Sequence, residues 1–472
     1  ENSLHWWAYA RNKRSVTLDL DAKDDRERLR RLAASSDLVI ESFEPGFLSE
    51  RGLGFEDLAR INPRLSLISI TPFGQDGPKA LWAANALTAL AASGVLHLTG
   101  DDDRAPLYVP GNQAYLHASA EAAVAALIAL EACERDGVGQ QADISMQTAT
   151  MLATQSFILV QGWDPGTPAQ RVAGGAKMGP LQTRFVYPAS DGHVSVTFLF
   201  GNMIGPFTRR LFEWMHEEGV VDAASRDKDW EAYAELLMTG REPTSELIRC
   251  TELLAEFTRR YSKQELFRET LRRRLLIVPV SDMADIAASE QLGSRDYWTD
   301  VPRPDGSEPV RFPGPFFRSE TSPLTYRRRA PRIGEHNAEL LDGLDDEDVP
   351  PMEEHVSSAS SASPARPALD GIKVLDLSWV IATPFGVRYL ADYGGTVVHV
   401  ESTTRPDALR SYGPFLAGEV GAERSAQFAN AKANRLGLSL NLATEAGRQI
   451  LWRLVDWADV LVESFTPGAM AR

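Results

Sequence analysis

A chain of 472 residues has room for two or three hydrophobic cores, and 43% hydrophobic with 24% charged residues is the composition of a globular enzyme. A formal net charge of -16 argues against non-specific binding to nucleic acid or to anionic membranes, both of which would repel it. Cys133 and Cys250 are too few for a disulfide framework and lack zinc-ligand spacing, so a reducing cytoplasm and no metal site are expected.

The chain opens on Glu1 with no basic leader or cleavage pattern, and a preceding portion of the protein is expected to be missing. Short strands are expected at Leu38–Ile40 and Leu65–Ile70, each after a helical segment rich in Arg and Leu. The apolar run Ala118–Ala132 has charged flanks and falls short of the roughly 20 residues that cross a bilayer, so no membrane span is expected. From Asp191 to about Ala288 mixed hairpins and helices replace the strand-helix alternation, which suggests a smaller α+β domain. Asp345–Pro367, an acidic run followed by a Ser/Ala tract, has too few apolar residues to offset its ordering entropy and reads as a linker. Beyond it, a strand at Ile372–Leu377, a helix at Phe385–Tyr393 and a strand at Thr396–Val400 form a βαβ unit, and a parallel α/β sheet follows.

Asn12–Glu50 aligns without gaps onto Asn434–Arg472 at an offset of 422, with 13 of 39 positions identical. The identities include Leu18 and Leu20 on Leu440 and Leu442, Asp37 on Asp459, and Glu41-Ser-Phe-x-Pro-Gly46 on Glu463-Ser-Phe-x-Pro-Gly468. So long a period indicates duplication of a whole domain, with about 50 residues of the first copy, equivalent to Leu369–Ala422, lying ahead of Glu1. The expected organisation is a first copy over 1–345, with a large domain at about 1–188 and 290–345 and a small one at about 189–289. A linker at 346–368 and the start of a second copy at 369–472 complete it.

The loop Ser378-Trp-Val-Ile-Ala-Thr-Pro-Phe-Gly386 lacks the Gly-x-Gly-x-x-Gly turn that a dinucleotide pyrophosphate needs, which disfavours an NAD-dependent oxidoreductase. Glu401 stands where a ribose-binding acid would be, with a solvated strand-end carboxylate as the plainer reading.

Leu369-Asp-Gly-Ile-Lys-Val-Leu-Asp-Leu377, Pro384, Leu390-Ala-Asp-Tyr-Gly394 and Val400-Glu401 make one group of motifs. Arg11-Asn-Lys-Arg-Ser-Val-Thr-Leu-Asp-Leu20, Glu41-Ser-Phe-Glu-Pro-Gly46, Phe73-Gly-Gln-Asp-Gly-Pro78, Gly139-Gln-Gln-Ala-Asp-Ile-Ser145 and Ala330-Pro-Arg-Ile-Gly-Glu-His336 make another. With these motifs the chain resembles the class III CoA-transferases, the family of formyl-CoA and carnitine CoA-transferases, over essentially its whole length. The resemblance implies a Rossmann-like large domain that binds CoA, a small domain, and two subunits interlocked like rings, here an intramolecular pseudo-dimer or a homo-oligomer. It also implies a CoA thioester as substrate with no resident cofactor, and a small carboxylic acid as acceptor. An Asp carboxylate attacks the acyl-CoA to give a mixed anhydride and free thiolate. The thiolate returns to the anhydride, forming an enzyme thioester and releasing the donor acid, and the acceptor acid then takes the CoA and frees the Asp.

In the resemblance that Asp falls on Asn112 of Tyr108-Val-Pro-Gly-Asn-Gln-Ala-Tyr-Leu-His117, after a Pro-containing strand and before a helix; Leu116 replaces a usual Gly. A neutral amide cannot form the anhydride, so the first copy is expected to be silent. Asp143 is a nearby carboxylate, expected instead to cap a helix. The related racemases' His position falls on Asn85, counted back from Gly94, with His97 and His117 nearby. The CoA contacts implied are Phe43 and Phe465, Leu18, Leu20, Leu440 and Leu442, Trp379, Ile381 and Ala382, and an Arg matched by Arg472. At the last position the first copy has Glu50, with Arg51 displaced by one, so the second copy is the better candidate for CoA phosphates. The four leucines are equally readable as core, and Ala173–Gly179 as a lid or as a turn.

The reading is a fused CoA-transferase whose nucleophile belongs to the second copy, 422 positions beyond Asn112, so that this stretch alone would be inactive. A non-catalytic CoA-binding or scaffold module is the alternative. A transferase-lyase resembling the enzyme that attaches CoA to dimethylsulfoniopropionate and cleaves it is another.

Overall fold

The computed structural model describes residues 3–154, 159, 163, 171–178, 181–201, 203–303, 306–342, 344 and 366–470. All of the expected linker except 366–368 lies outside them, as does Arg472. Short apolar segments form β1 (Leu38–Glu41), β2 (Ser66–Thr71) and β3 (Gln141–Ser145), side by side in a parallel sheet of that order. Ile68, with Leu38, Ile70, Ala142 and Ile144, packs against Ala122, Ala126 and Ala129 of the helix Gln113–Asp136. At 24 residues this helix is longer than its apolar run and matches a membrane span by length and composition, yet its alanine face is packed on the sheet. Gly139 enters β3 so close to the neighbouring chain that a Cβ would fall 1.9 Å from the Leu65 carbonyl oxygen, which is why the motif there begins with glycine. Two expectations need correcting. β2 follows the five-residue helix Phe55–Ala59, which has no Arg, and Tyr108-Val-Pro110 forms no strand ahead of Asn112.

The glycine-rich stretch becomes β4 (Gly175–Met178), paired antiparallel with β5 (Leu181–Arg184). β6 (Val186–Ala189), β7 (Gly192–Val196) and β8 (Ile277–Pro279) form an antiparallel sheet under helices that include Gly205–Glu217 and Thr244–Thr258. Their shared core, from Tyr187 through Phe198, Phe212, Trp230 and Phe257 to Ile277, contains Cys250 and no residue of the parallel sheets. β9 (Trp298–Val301) and β10 (Val310–Pro313) form a hairpin whose Val301 and Phe312 pack on Trp7 and Ala10.

The second parallel sheet comprises β11 (Lys373–Leu377), β12 (Thr396–Glu401), β13 (Leu436–Ser439) and β14 (Val460–Glu463) in the order β13-β12-β11-β14. The 422-residue offset maps β1 onto β14, end to end. It also maps Asn12 onto Asn434, and both adopt a left-handed backbone (φ 64° and 56°), a conformation asparagine tolerates better than other non-glycine residues.

The second sheet holds a fully buried carboxylate. Asp376 on β11 accepts a hydrogen bond from Arg435 and lies 2.9 Å from Nδ1 of His399 on β12. Lys432 Nζ stands 4.0 Å from Asp376 and 3.3 Å from the buried Asp407. Burial alone would raise the Asp376 pKa, but the His399 hydrogen bond and the Lys432 charge outweigh it and hold the carboxyl well below its ordinary 3.8. A depressed carboxylate stabilises the fold fully above its unfolded pKa, and that contribution fades as pH falls through the folded value. Thermal midpoints measured against pH are therefore expected to drop below about pH 4 in the native chain. Asp376→Asn is expected to flatten that acid limb and, by leaving the buried Arg435 without its anionic partner, to cost about 3–5 kcal/mol at neutral pH.

Candidate functional site

The motif Glu-Ser-Phe-x-Pro-Gly has the same local physics in both places. After β1 the Glu41 carboxylate turns back to accept the Phe43 amide at 2.7 Å, and after β14 Glu463 accepts the Phe465 amide at 2.6 Å. Each turn thereby fixes its aromatic at the carboxyl end of a parallel strand, where open α/β sheets place ligands.

The surroundings of the two aromatics differ. Phe43, 44% exposed, stacks on Phe47 at 4.5 Å, and the Arg51 guanidinium lies 3.8 Å over the Phe47 ring. Arg51 also donates to Asp21 at 2.8 Å and to the Phe47 carbonyl at 3.1 Å, so its fork is occupied within the first segment. Glu50 beside it is exposed. Leu18 and Leu20 are half-buried, Leu20 against the cluster of Leu48, Leu53 and Leu58.

In the second segment Phe465 faces Trp379 at 6.4 Å, and Arg405 lies 5.5 Å from the Trp379 ring. Trp379 and Val380 belong to the turn between β11 and the helix Ala382–Asp392, with Ile381 at the N-cap and Ala382 as the first helical residue. This turn, with Phe465 from the turn after β14 and Arg405 from beyond β12, brings together two aromatic faces, a cation and a helix N-terminus, the components that hold a nucleotide phosphate and its base. Leu440 is 8% exposed and Leu442 half-buried, both packed with Leu375, Leu377 and Val400, so Leu440 is a core residue.

Asn112 is exposed, has a left-handed backbone (φ 57°), and precedes Gln113–Asp136 without a capping hydrogen bond from its side chain. The residue here is thus presented at the positive end of a long helix, a setting that would favour a carboxylate and instead holds an amide. Asp143 does not cap a helix as expected, because Ser145 does so. Its Oδ2 accepts the Gln75 amide at 2.8 Å, and the Gln75 side chain reaches Glu41 at 3.4 Å. Asn85 caps the helix Ala86–Ala92, His97 is exposed, and His117 lies on the long helix. Glu401 is not a solvated strand end: Arg410 donates to both its oxygens, at 2.5 and 3.0 Å.

The helix that begins after Asn112 also meets the second segment. Tyr389 hydrogen-bonds to Glu121, and Arg135 donates to the carbonyls of Pro367 and Ala368 at 2.8 and 2.9 Å. A cleft of about 680 Å³ lies at this contact, bordered by Phe73, Asp143 and Thr148 on one side and Phe385, Arg388 and Tyr389 on the other. Among the described residues no His, Cys, Asp and Glu side chains group to hold a metal. Arg405 and Asp407 escape sequence reasoning because their partners, Trp379 and the Val380 amide, are over twenty positions away.

CoA-transferase family III matches residues 1–337 and again 369–472. The chain is 35% identical over 72% of its length to 80% of the succinyl-CoA:(R)-benzylsuccinate CoA-transferase subunit BbsE of Thauera aromatica. It is 28% identical over 97% of its length to "Probable CoA-transferase Rv1866" of Mycobacterium tuberculosis, and there it spans 54% of the relative. A CAIB/BAIF family protein from Brucella suis shares the fold with a TM-score of 0.60 and 28% identity, over 73% of this chain and 84% of that one. The chain belongs to CoA-transferase family III.

Proposed function

We propose that this protein transfers CoA between an acyl-CoA and a carboxylic acid, with the second segment binding the CoA and the first serving as a catalytically silent partner. The observation that carries the division is the amide of Asn112 at the helix N-terminus where a nucleophilic carboxylate would stand. The oxygen needed to attack the thioester, release thiolate and form the mixed anhydride is then supplied by the second copy, 422 positions beyond Asn112. CoA itself is a substrate, and the residues that would hold it are Trp379, Ile381, Ala382, Phe465 and, beyond the described residues, Arg472.

Two features support a duplication. The family matches twice, and the relative from Mycobacterium tuberculosis is close to twice as long as the stretch aligned to it. In addition, among the described residues β1 pairs only with β2 while its counterpart β14 pairs only with β11. Overlaid at that shared strand, the two sheets make one six-stranded parallel sheet, of which each segment holds a different part. The proposed division is therefore a first copy over 1–345, with its small domain at about 189–289, and a second from 369, joined as an intramolecular pseudo-dimer. The Tyr389–Glu121 and Arg135 contacts support that pairing. The relatives' names, which pair succinyl-CoA with (R)-benzylsuccinate or mesaconate, support an acyl-CoA donor and a small carboxylic acid acceptor. The scaffold alternative draws on Asn112 and Glu50 alone.

Phe465→Ala is expected to weaken CoA binding about tenfold, the usual loss for one stacked base, while Phe43→Ala leaves it unchanged; isothermal titration with free CoA reads both. The chain incubated with succinyl-CoA, trapped with hydroxylamine or borohydride and digested is expected to show no adduct on any peptide between Glu1 and Asp345. An adduct there would overturn the assignment of Asn112.

A further inference from the structure

The turn after β11 contains a backbone conformation that its sequence resists. Val380 has φ 67°, a left-handed geometry that is a true outlier for a β-branched residue and persists only where the surroundings impose it. Each residue of the turn is held separately. Ser378 donates its amide to Asp376 at 2.9 Å, Trp379 donates to the Ser464 hydroxyl at 2.9 Å, and Val380 donates to Asp407 at 3.2 Å. Lys432 ties these restraints together. Its ammonium donates to the Ser378 carbonyl at 2.7 Å, and the same group lies 3.3 Å from the other oxygen of Asp407. The Lys432 side chain is 3% exposed and both acidic neighbours are fully buried, so water cannot replace it in either role.

We infer that Lys432 is a positioning residue: by bracing Ser378 and Asp407 from one buried point, it imposes the left-handed turn at Val380 that sets Trp379 opposite Phe465 for CoA. The inference rests on the proposed CoA site of the second segment. Extending the 422-residue offset two positions beyond the aligned block puts Ala10, 1% exposed, at the place of Lys432.

Calorimetric titration of the 472-residue chain with free CoA, in a cycle of Lys432→Met and Val380→Gly, tests this. Glycine adopts the left-handed turn without strain, so the brace should matter little in its presence. Lys432→Met is expected to weaken CoA binding about tenfold with Val380 in place and by less than about twofold with Val380→Gly. Equal losses in the two backgrounds, or no loss in either, would overturn the inference and leave the CoA site standing. Should Lys432→Met not fold, Asp407→Asn takes its place in the cycle, because it keeps an acceptor for the Val380 amide and removes the ion pair.

Hydrogen exchange of the peptide spanning Ser378–Ile381, measured without ligand, separates this inference from the reading beneath it. Faster exchange in the Lys432 or Asp407 variant is expected. If the native chain binds no CoA, the functional reading fails, and unchanged exchange would then overturn the brace as well.

Discussion

A carboxylate removed from water has to be met by cations, and in the second segment that requirement organises everything around it. Asp376 lies inside β11, so its partners must come from neighbouring elements: His399 from β12, Arg435 from the entry to β13, Lys432 from the turn before it. The ion network therefore cross-links β11, β12 and the entry to β13. The same charges reach into the turn that follows β11. Structure and candidate site share one set of buried groups.

The first segment has the same strand and the same Glu-Ser-Phe turn, with different surroundings. Its aromatic stacks on Phe47 and its arginine is engaged by Asp21 and a carbonyl, whereas the second segment offers Phe465 and Trp379 with Arg405 alongside. At the N-terminus of the long helix stands the amide of Asn112, on which the proposed division rests. In the proposed division the first segment keeps this local geometry without the chemistry, as a partner kept for its shape. The helix Gln113–Asp136 fits that role, since one face packs on its own sheet while Glu121 and Arg135 touch the other segment.

Much of this was legible in the sequence. β1, β11 and β12 follow from short, near-continuous apolar runs, and the 422-residue offset lands strand on strand. The helix after β11 begins at Ala382, three residues before the expected Phe385, because Pro384 sits in the first helical turn, where its missing N–H is not needed. Other features depend on distant neighbours and could not be read. Glu401 resembles any strand-end acid until Arg410 folds onto it, and Lys432 in an alanine-rich stretch resembles any exposed lysine. The left-handed turn falls on a valine, among the residues least suited to it, so no local preference announces it.

If the two segments have divided their roles as proposed, a nucleotide ligand should settle on one aromatic turn and avoid the other. Photoaffinity labelling of the chain with an azido-adenine analogue of CoA, competed with free CoA and mapped by peptide sequencing, addresses this directly. Competable label on peptides carrying Trp379 or Phe465 is the predicted result. Competable label concentrated on the Phe43–Arg51 turn would contradict the account.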